Sequence, residues 1–243
     1  MEKYKALAFD VDDTITKSCQ PMQEETSRVL KQIPVEIAFV TGTDVPELRR
    51  MISSGLERRH HLLANTGTHY VIVEGDLESE ILREYLTPEQ KEELISAIKE
   101  LKAKYNLVPL TSEEDQIIDR GSQITFSILG RNAPPDKKYA YDPDKKKRKV
   151  LSEYLETLIN PEMYETTTGG TTSLNITLKG KDKCSALRMF MDLNGFLEDE
   201  VLFFGNELQP GGNDYSAIRS GVRCIEVQNP EHTVQILKEL YKL

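Results

Sequence analysis

The segment Ala6-Leu7-Ala8-Phe9 is apolar without a break and ends at Asp10. A strand with one wet face alternates apolar and polar side chains, so an unbroken run calls for a strand covered on both faces. The pattern recurs at Ile37-Ala38-Phe39-Val40, ending at Thr41-Gly42, and at Val201-Leu202-Phe203-Phe204, ending at a glycine-rich loop. Leu62-Leu63-Ala64 and Tyr70-Val71-Ile72-Val73 read as further strands. Between them, Met22, Thr26, Val29 and Leu30 recur at helical spacing. So do Leu48, Met51 and Ile52, which follow Asp44 as cap residue and Pro46 in the first turn. Strand and helix in alternation predict an α/β core built on a parallel sheet.

The texture changes near residue 83. Thr87-Pro88-Glu89-Gln90 has the form of a capping box and opens a long helix through Leu94, Ile95, Ile98 and Leu101. Gln123–Ile128 and Ser173–Leu178 then alternate, as strands of an antiparallel sheet with one covered face do, with a helix expected from about Asp144 to Ile159. After Lys183 the α/β pattern resumes, and Asn229-Pro230-Glu231 caps a final helix. The expected organisation is a Rossmann-like core from residues 1–82 and 179–243, interrupted by an α+β domain at 83–178.

Charge narrows the partners. A net charge of −9 argues against a nucleic-acid surface, which needs a net basic face. Cys19, Cys184 and Cys224 form no CxxC pair, which fits a reducing compartment. With no membrane-length apolar run and no signal-like N-terminus, a cytoplasmic location without membrane contact is expected. Adjacent His60 and His61 point different ways, while His69 and His232 stand alone; solvated or supporting roles are expected for all four, and zinc is not. The basic run Lys145–Lys149 reads as a solvated helical face, over help for an anionic substrate or a nuclear-import signal.

Chemistry concentrates where the buried strands end. Asp10-Val11-Asp12-Asp13-Thr14 follows the first strand, at the end of the sheet where ligands of parallel α/β folds bind. Residues 10 and 12 share a side in extended chain, so two carboxylates can converge on one metal and one phosphoryl group. A carboxylate attacks phosphorus only when charge repulsion is cancelled, and a hard cation held by oxygens does that. An acidic turn capping the next helix would account for these residues equally well on their own. Three companions shift the balance. Thr41-Gly42-Thr43 offers a hydroxyl and backbone N–H groups, Lys183 offers an ammonium, and Gly205–Asp214 offers further oxygen ligands.

The order DVDDT, TG, lysine and GNxxxxGGND resembles the four motifs of the haloacid dehalogenase (HAD) superfamily, and the insertion resembles its type IIB (C2) cap. Within it the chain is most similar to eukaryotic-type phosphomannomutases and their phosphatase-like relatives. GGTTSLNITLKGKDK, RGSQITFSILGR and FFGNELQPGGND carry that likeness over nearly the whole chain. The resemblance implies Asp10 as nucleophile and Asp12 as general acid/base, with Thr41, Gly42 and Lys183 orienting the phosphoryl group. It implies Mg²⁺ held by Asp10, Asp12 through its carbonyl, Asn206 and Asp214. Arg120, Arg131, Lys138, Ser173 and Asn175 match cap residues that hold the distal part of a phosphorylated small-molecule substrate. A homodimer through the cap is also implied.

The chain departs from the mutase pattern in several places. Asn206 stands where an aspartate usually ligates Mg²⁺, Asn175 replaces a cap aspartate, and Cys19 and Lys138 each replace an arginine. These changes favour hydrolysis of a sugar phosphate, with a phosphomannomutase-like mutase as the alternative. A non-catalytic phosphosugar-binding protein is a second class. A DxD-type glycosyltransferase is a third, but it leaves Thr41, Lys183 and the GGND loop unexplained.

Overall fold

The computed structural model describes residues 4–243. The chain divides into two compact units, one running up to Arg83 and resuming over Lys181–Leu243, the other Glu84–Gly180.

The strands of the first unit are β1 (Ala6–Phe9), β2 (Glu36–Val40), β3 (His60–Ala64), β4 (His69–Glu74) and β5 (Leu77–Arg83). Those of the second are β6 (Ile117–Asp119), β7 (Gln123–Ser127), β8 (Tyr164–Gly169) and β9 (Ser173–Leu178), and the first unit is completed by β10 (Val201–Gly205) and β11 (Arg223–Glu226). The larger sheet has the order β11-β10-β1-β2-β3-β4-β5. Its first five strands pair in parallel, while β4 and β5 pair antiparallel at one edge. That edge differs from the all-parallel sheet implied by alternation. The connection from β3 to β4 is a short turn through Asn65–Gly67 rather than a crossover helix, and a short turn forces antiparallel pairing. Strand β5, largely exposed and carrying Glu78, Glu80 and Arg83, closes the edge with charge.

Unbroken apolar strands follow from packing on both faces. Leu7, Phe9, Ile37, Phe39 and Phe204 point to one buried cluster, and Ala6, Ala8, Ala38, Val40 and Phe203 to the other. Helix α1 (Glu24–Gln32) and the C-terminal helix Pro230–Tyr241 supply Val29, Leu30, Val234 and Leu237 to the first. Helix Lys183–Asn194 supplies Ala186, Leu187 and Phe190 to the second. The alanines on that face let this helix approach closely. Losing one fully buried phenylalanine such as Phe39 would cost about 3–5 kcal/mol.

The second unit carries the antiparallel sheet β6-β7-β9-β8. Ile124, Phe126, Leu174 and Ile176 face a cluster with Leu94, Ile98 and Leu101 of helix Pro88–Tyr105, which opens on the Thr87–Gln90 capping box. The other face is polar: Gln123, Thr125 and Ser127 of β7 lie in register with Thr177, Asn175 and Ser173 of β9. The helix expected near 144–159 runs over Lys146–Glu156, and a further helix, Pro135–Tyr141, precedes it. The basic run is not uniformly solvated. Arg148 is buried, with its Nε 2.9 Å from Asp142 Oδ2, and its Nη1 donates to the carbonyls of Gly169 and Gly170 at 3.2 and 2.7 Å.

Candidate active site

Strand β1 sits between β10 and β2, and all three run the same way. Their carboxyl ends therefore deliver Asp10, Asn206 and Thr41 to one edge of the sheet. Asp10 is buried, and its N–H continues the ladder by donating to the Phe204 carbonyl at 2.8 Å.

Lys183 is the first residue of its helix, which Asp182 caps through the Ser185 N–H at 3.0 Å. The buried Lys183 ammonium donates to Asp10 Oδ1, and to Asp214 Oδ1 at 2.5 Å. One cation is thus shared by two buried carboxylates. Burial pushes the Asp10 carboxyl up to about 7; the Lys183 ammonium opposes this and the neighbouring Asp214 charge adds to it. Burial alone would lower Lys183, but the two carboxylates reverse that and hold it above its ordinary value. With both carboxylates ionised the cluster carries one net negative charge, which a cation beside Asp10 would neutralise.

Asp10 Oδ2 points elsewhere. The Thr14 hydroxyl lies 3.4 Å from it and 3.2 Å from Asn206 Oδ1, so two oxygen acceptors share one hydroxyl. The Thr14 carbonyl is in turn held by the Thr233 hydroxyl at 2.7 Å. The motif letters contain Thr14, but its bridging role needed the fold to bring Asn206 beside it. Asp214, expected as a metal ligand, has both oxygens engaged: Lys183 takes Oδ1, and the Glu207 N–H donates to Oδ2 at 2.9 Å. It is thus a counter-ion to Lys183 and an anchor of the loop, with a further lone pair left on each oxygen. A Cβ on Gly205 would fall 2.6 Å from that oxygen, which explains glycine at the strand end.

The Asp12 carboxylate accepts from the Cys19 N–H at 2.7 Å. Among the described residues no three His, Cys, Asp or Glu side chains cluster in a way that could hold a metal. What offers oxygens to a hard cation is smaller: Asp10 and Asn206, whose side chains share the Thr14 hydroxyl. Mg²⁺ commonly takes one or two protein oxygens and keeps water and substrate oxygens for the rest. This donor set suits it.

Thr41 is buried, and its hydroxyl accepts from the Thr43 N–H at 3.2 Å. Gly42 follows, and Asp44 caps the short helix Val45–Leu48 through the Glu47 N–H at 3.0 Å. The loop is braced by the turn after β3, where the Thr66 N–H donates to the Thr41 carbonyl at 2.7 Å. Asn65 and Thr66 both adopt positive φ there, 46° and 59°, a conformation costly for a β-branched threonine.

In the second unit Ser173 and Asn175 share a face of β9, and Thr125 donates to Asn175 Oδ1 at 3.0 Å. Arg120 precedes β7 and the exposed Arg131 follows it, so the two flank its opposite ends. The Lys138 ammonium donates to the Arg131 carbonyl. Of the two roles expected for the histidines, His60, His61 and His69 are placed for the supporting one, being buried. His61 Nδ1 lies 2.7 Å from the Tyr70 hydroxyl and its Nε2 3.0 Å from Glu36.

Comparison with known proteins places this geometry. The eukaryotic phosphomannomutase family matches residues 22–243, starting after the Asp10–Thr14 segment. Phosphomannomutase 1 of Mus musculus is 28% identical over 244 residues, covering 96% of this chain and 90% of that protein. Phosphomannomutase of Saccharomyces cerevisiae is 28% identical over 252 residues, covering 100% and 96%. Among solved structures, SMU.1108c from Streptococcus mutans superposes with a TM-score of 0.70 at 14% identity, covering 99% of this chain and 100% of that one. A haloacid dehalogenase-like hydrolase from Bacteroides thetaiotaomicron gives 0.64 at 14%, covering 98% and 100%. At such identities these structures establish the fold alone, and no helix among the described residues is long and apolar enough to cross a membrane. On the match that spans nearly its full length, the chain belongs to the eukaryotic phosphomannomutase family, built on the HAD fold.

Proposed function

We propose that this chain transfers a phosphoryl group from a sugar phosphate to Asp10 and then, from the aspartyl-phosphate, to water. The observation that carries the proposal is the shared ammonium. Lys183 holds Asp10 Oδ1 and leaves Oδ2 beside Thr14 as the attacking oxygen. A buried nucleophile fixed at one oxygen loses little orientation on attack. Asp10, the Asp12 carbonyl, Asn206 and Asp214 would hold Mg²⁺, which when bound cancels charge between the carboxylate and the phosphoryl oxygens. The Thr41 hydroxyl and the N–H groups of its loop orient the phosphoryl oxygens, and Lys183 stabilises charge developing on them. As the O–P bond to the sugar breaks, Asp12 gives its proton to the leaving oxygen; in the second step it takes one from the attacking water. Residues 84–180 act as the cap, with Arg120, Arg131, Lys138, Ser173 and Asn175 binding the distal part of the substrate. Cytoplasmic location and a homodimer through this unit belong to the same proposal.

Water is favoured as acceptor because Cys19, Asn175 and Asn206 replace the residues of the mutase pattern. The family match favours a second acceptor, the other phosphate-bearing hydroxyl of a hexose. Phosphorus NMR on mannose 1-phosphate with Mg²⁺ and a trace of hexose 1,6-bisphosphate separates the two. Inorganic phosphate alone is expected; mannose 6-phosphate would make the chain a mutase. Neither product at any Mg²⁺ concentration, across a panel of sugar phosphates, would leave a phosphosugar-binding protein.

A further inference from the structure

The proposed acid/base, Asp12, is oriented by a backbone group, and that group has its own support. After Asp12 the chain makes an excursion whose two ends adopt left-handed backbone, Asp13 at φ 57° and Cys19 at φ 57°. The excursion returns so that the Cys19 N–H donates to Asp12 Oδ1 at 2.7 Å. A left-handed cysteine is strained, so this return is not held by local preference.

What holds it comes from the segment after Thr41. Residues Arg49–Ser53 form a π-helical turn, a rare insertion that is frequent near functional sites. Two contacts reach from that turn to the excursion. Arg50 Nη2 donates to the Cys19 carbonyl at 3.0 Å, and the Met51 carbonyl accepts from the Met22 N–H at 2.8 Å. Arg50 is itself clamped by Glu47, through Nε to Oε2 at 3.0 Å and Nη2 to Oε1 at 2.5 Å. The guanidinium fork is therefore aimed at Cys19 before any substrate arrives.

We propose that Arg50, clamped by Glu47, is a positioning residue for Asp12: it fixes Cys19 so that its N–H occupies Asp12 Oδ1, leaving Oδ2 to carry the transferred proton. This deepens the phosphoryl-transfer reading and rests on it. Arg50 touches neither nucleophile nor phosphate, and the Cys19 carbonyl and N–H belong to different peptide units. The effect is therefore geometric rather than electronic. Cys19 contributes its backbone here, which accounts for tolerance of a small side chain where the mutase pattern has an arginine.

Two measurements test this, one of them independent of turnover. Protection of the Cys19 amide is read by NMR hydrogen exchange in the wild type, Arg50→Ala, Arg50→Lys and Asp12→Asn. Loss of about tenfold protection is expected in Arg50→Ala and partial retention in Arg50→Lys, which keeps a donor but not the fork. Turnover is then compared on a sugar phosphate and on p-nitrophenyl phosphate, whose phenolate leaves without needing a proton. Arg50→Ala is expected to lower kcat/KM, which reports only the first transfer, about tenfold on the sugar phosphate and to spare kcat/KM on the nitrophenyl ester. Equal losses on both esters, or wild-type exchange at Cys19 in Arg50→Ala, would overturn the proposal. A wild-type chain inactive on every phosphomonoester counts against phosphoryl transfer itself, and the exchange measurement still decides whether Arg50 holds Cys19 on Asp12.

Discussion

Among the described residues, each unit carries one ion-pair arrangement in which arginine or lysine and its carboxylates are all buried, and the two are built oppositely. In the first, Lys183 serves two carboxylates and leaves net negative charge inside. In the second, Arg148 meets one carboxylate, Asp142, and donates through Nη1 to the carbonyls of Gly169 and Gly170. The second arrangement is neutral and suits a structural pin. The first is unbalanced, costly to maintain, and suits a place where another charge is meant to enter. Burial of charge alone does not distinguish the two; the charge count does.

The comparison breaks most sharply at Asp10. Asp10→Asn is expected to abolish turnover by at least about a thousandfold, measured by phosphate release, because no nucleophile remains. Its stability to urea should hold or rise, since one ammonium then faces one carboxylate. Lys183→Met, in contrast, strands two carboxylates and is expected to cost about 3–5 kcal/mol as well as activity. If Asp10→Asn destabilises as much as Lys183→Met, the imbalance inferred here is wrong.

Arg148→Met should cost about 3–5 kcal/mol by leaving Asp142 buried and unpaired, and Asp142→Asn should cost less. Neither should show the stability gain possible at Asp10; denaturation of the three variants side by side makes that comparison.

Acid sharpens the contrast from a third buried group. Burial pushes His60 from 6.5 down to about 4, while its Nδ1 lies 2.6 Å from the Arg58 carbonyl and its Nε2 2.8 Å from the Ser53 hydroxyl. The unfolded chain therefore binds a proton that the folded one refuses between pH 6.5 and about 4. Stability from this group is complete above that window and falls as pH drops through it, by about 3 kcal/mol in all. Burial depresses His61 as well, adding in the same direction. Urea midpoints measured from pH 7 downward should fall less steeply in His60→Gln than in the wild type.

The smallest effect is expected at Arg131, which is exposed. Arg131→Ala should change stability by less than about 0.5 kcal/mol. If it binds the distal part of the substrate, KM should rise about tenfold with kcat nearly unchanged.

Much of the core was legible because buried parallel strands leave a one-dimensional mark. Phe9, Val40 and Phe204 each end an apolar run, and the residue that follows each is Asp10, Thr41 or, one step beyond Gly205, Asn206. Lys183 was legible from its place after the second of the alternating segments and from the order of the motifs. Nothing local marks a lysine at a helix start as buried. Arg148 was not legible at all. In a run of five basic residues each one reads as solvated, and its partners lie 6, 21 and 22 residues away. Asp214 was legible as an acidic group near the site, but not its engagement at both oxygens, which depends on how the loop after β10 folds back on Glu207. The turn from β3 into β4 contains no glycine at Asn65 or Thr66, so the positive φ at both gave no compositional sign.

The split of the first unit by residues 84–180 has a consequence for synthesis. Strand β1 leaves the ribosome well before its neighbour β10, which ends at Gly205, and the Lys183 that balances Asp10 comes 173 residues after it. At ordinary elongation rates the interval is on the order of ten seconds. Throughout it one edge of the central strand is unpaired, while the intervening segment, with an apolar cluster of its own, can already compact. The nascent chain thus passes through a stage with a finished insert and a half-built sheet, the stage at which chaperone capture or edge-to-edge sticking is most to be expected.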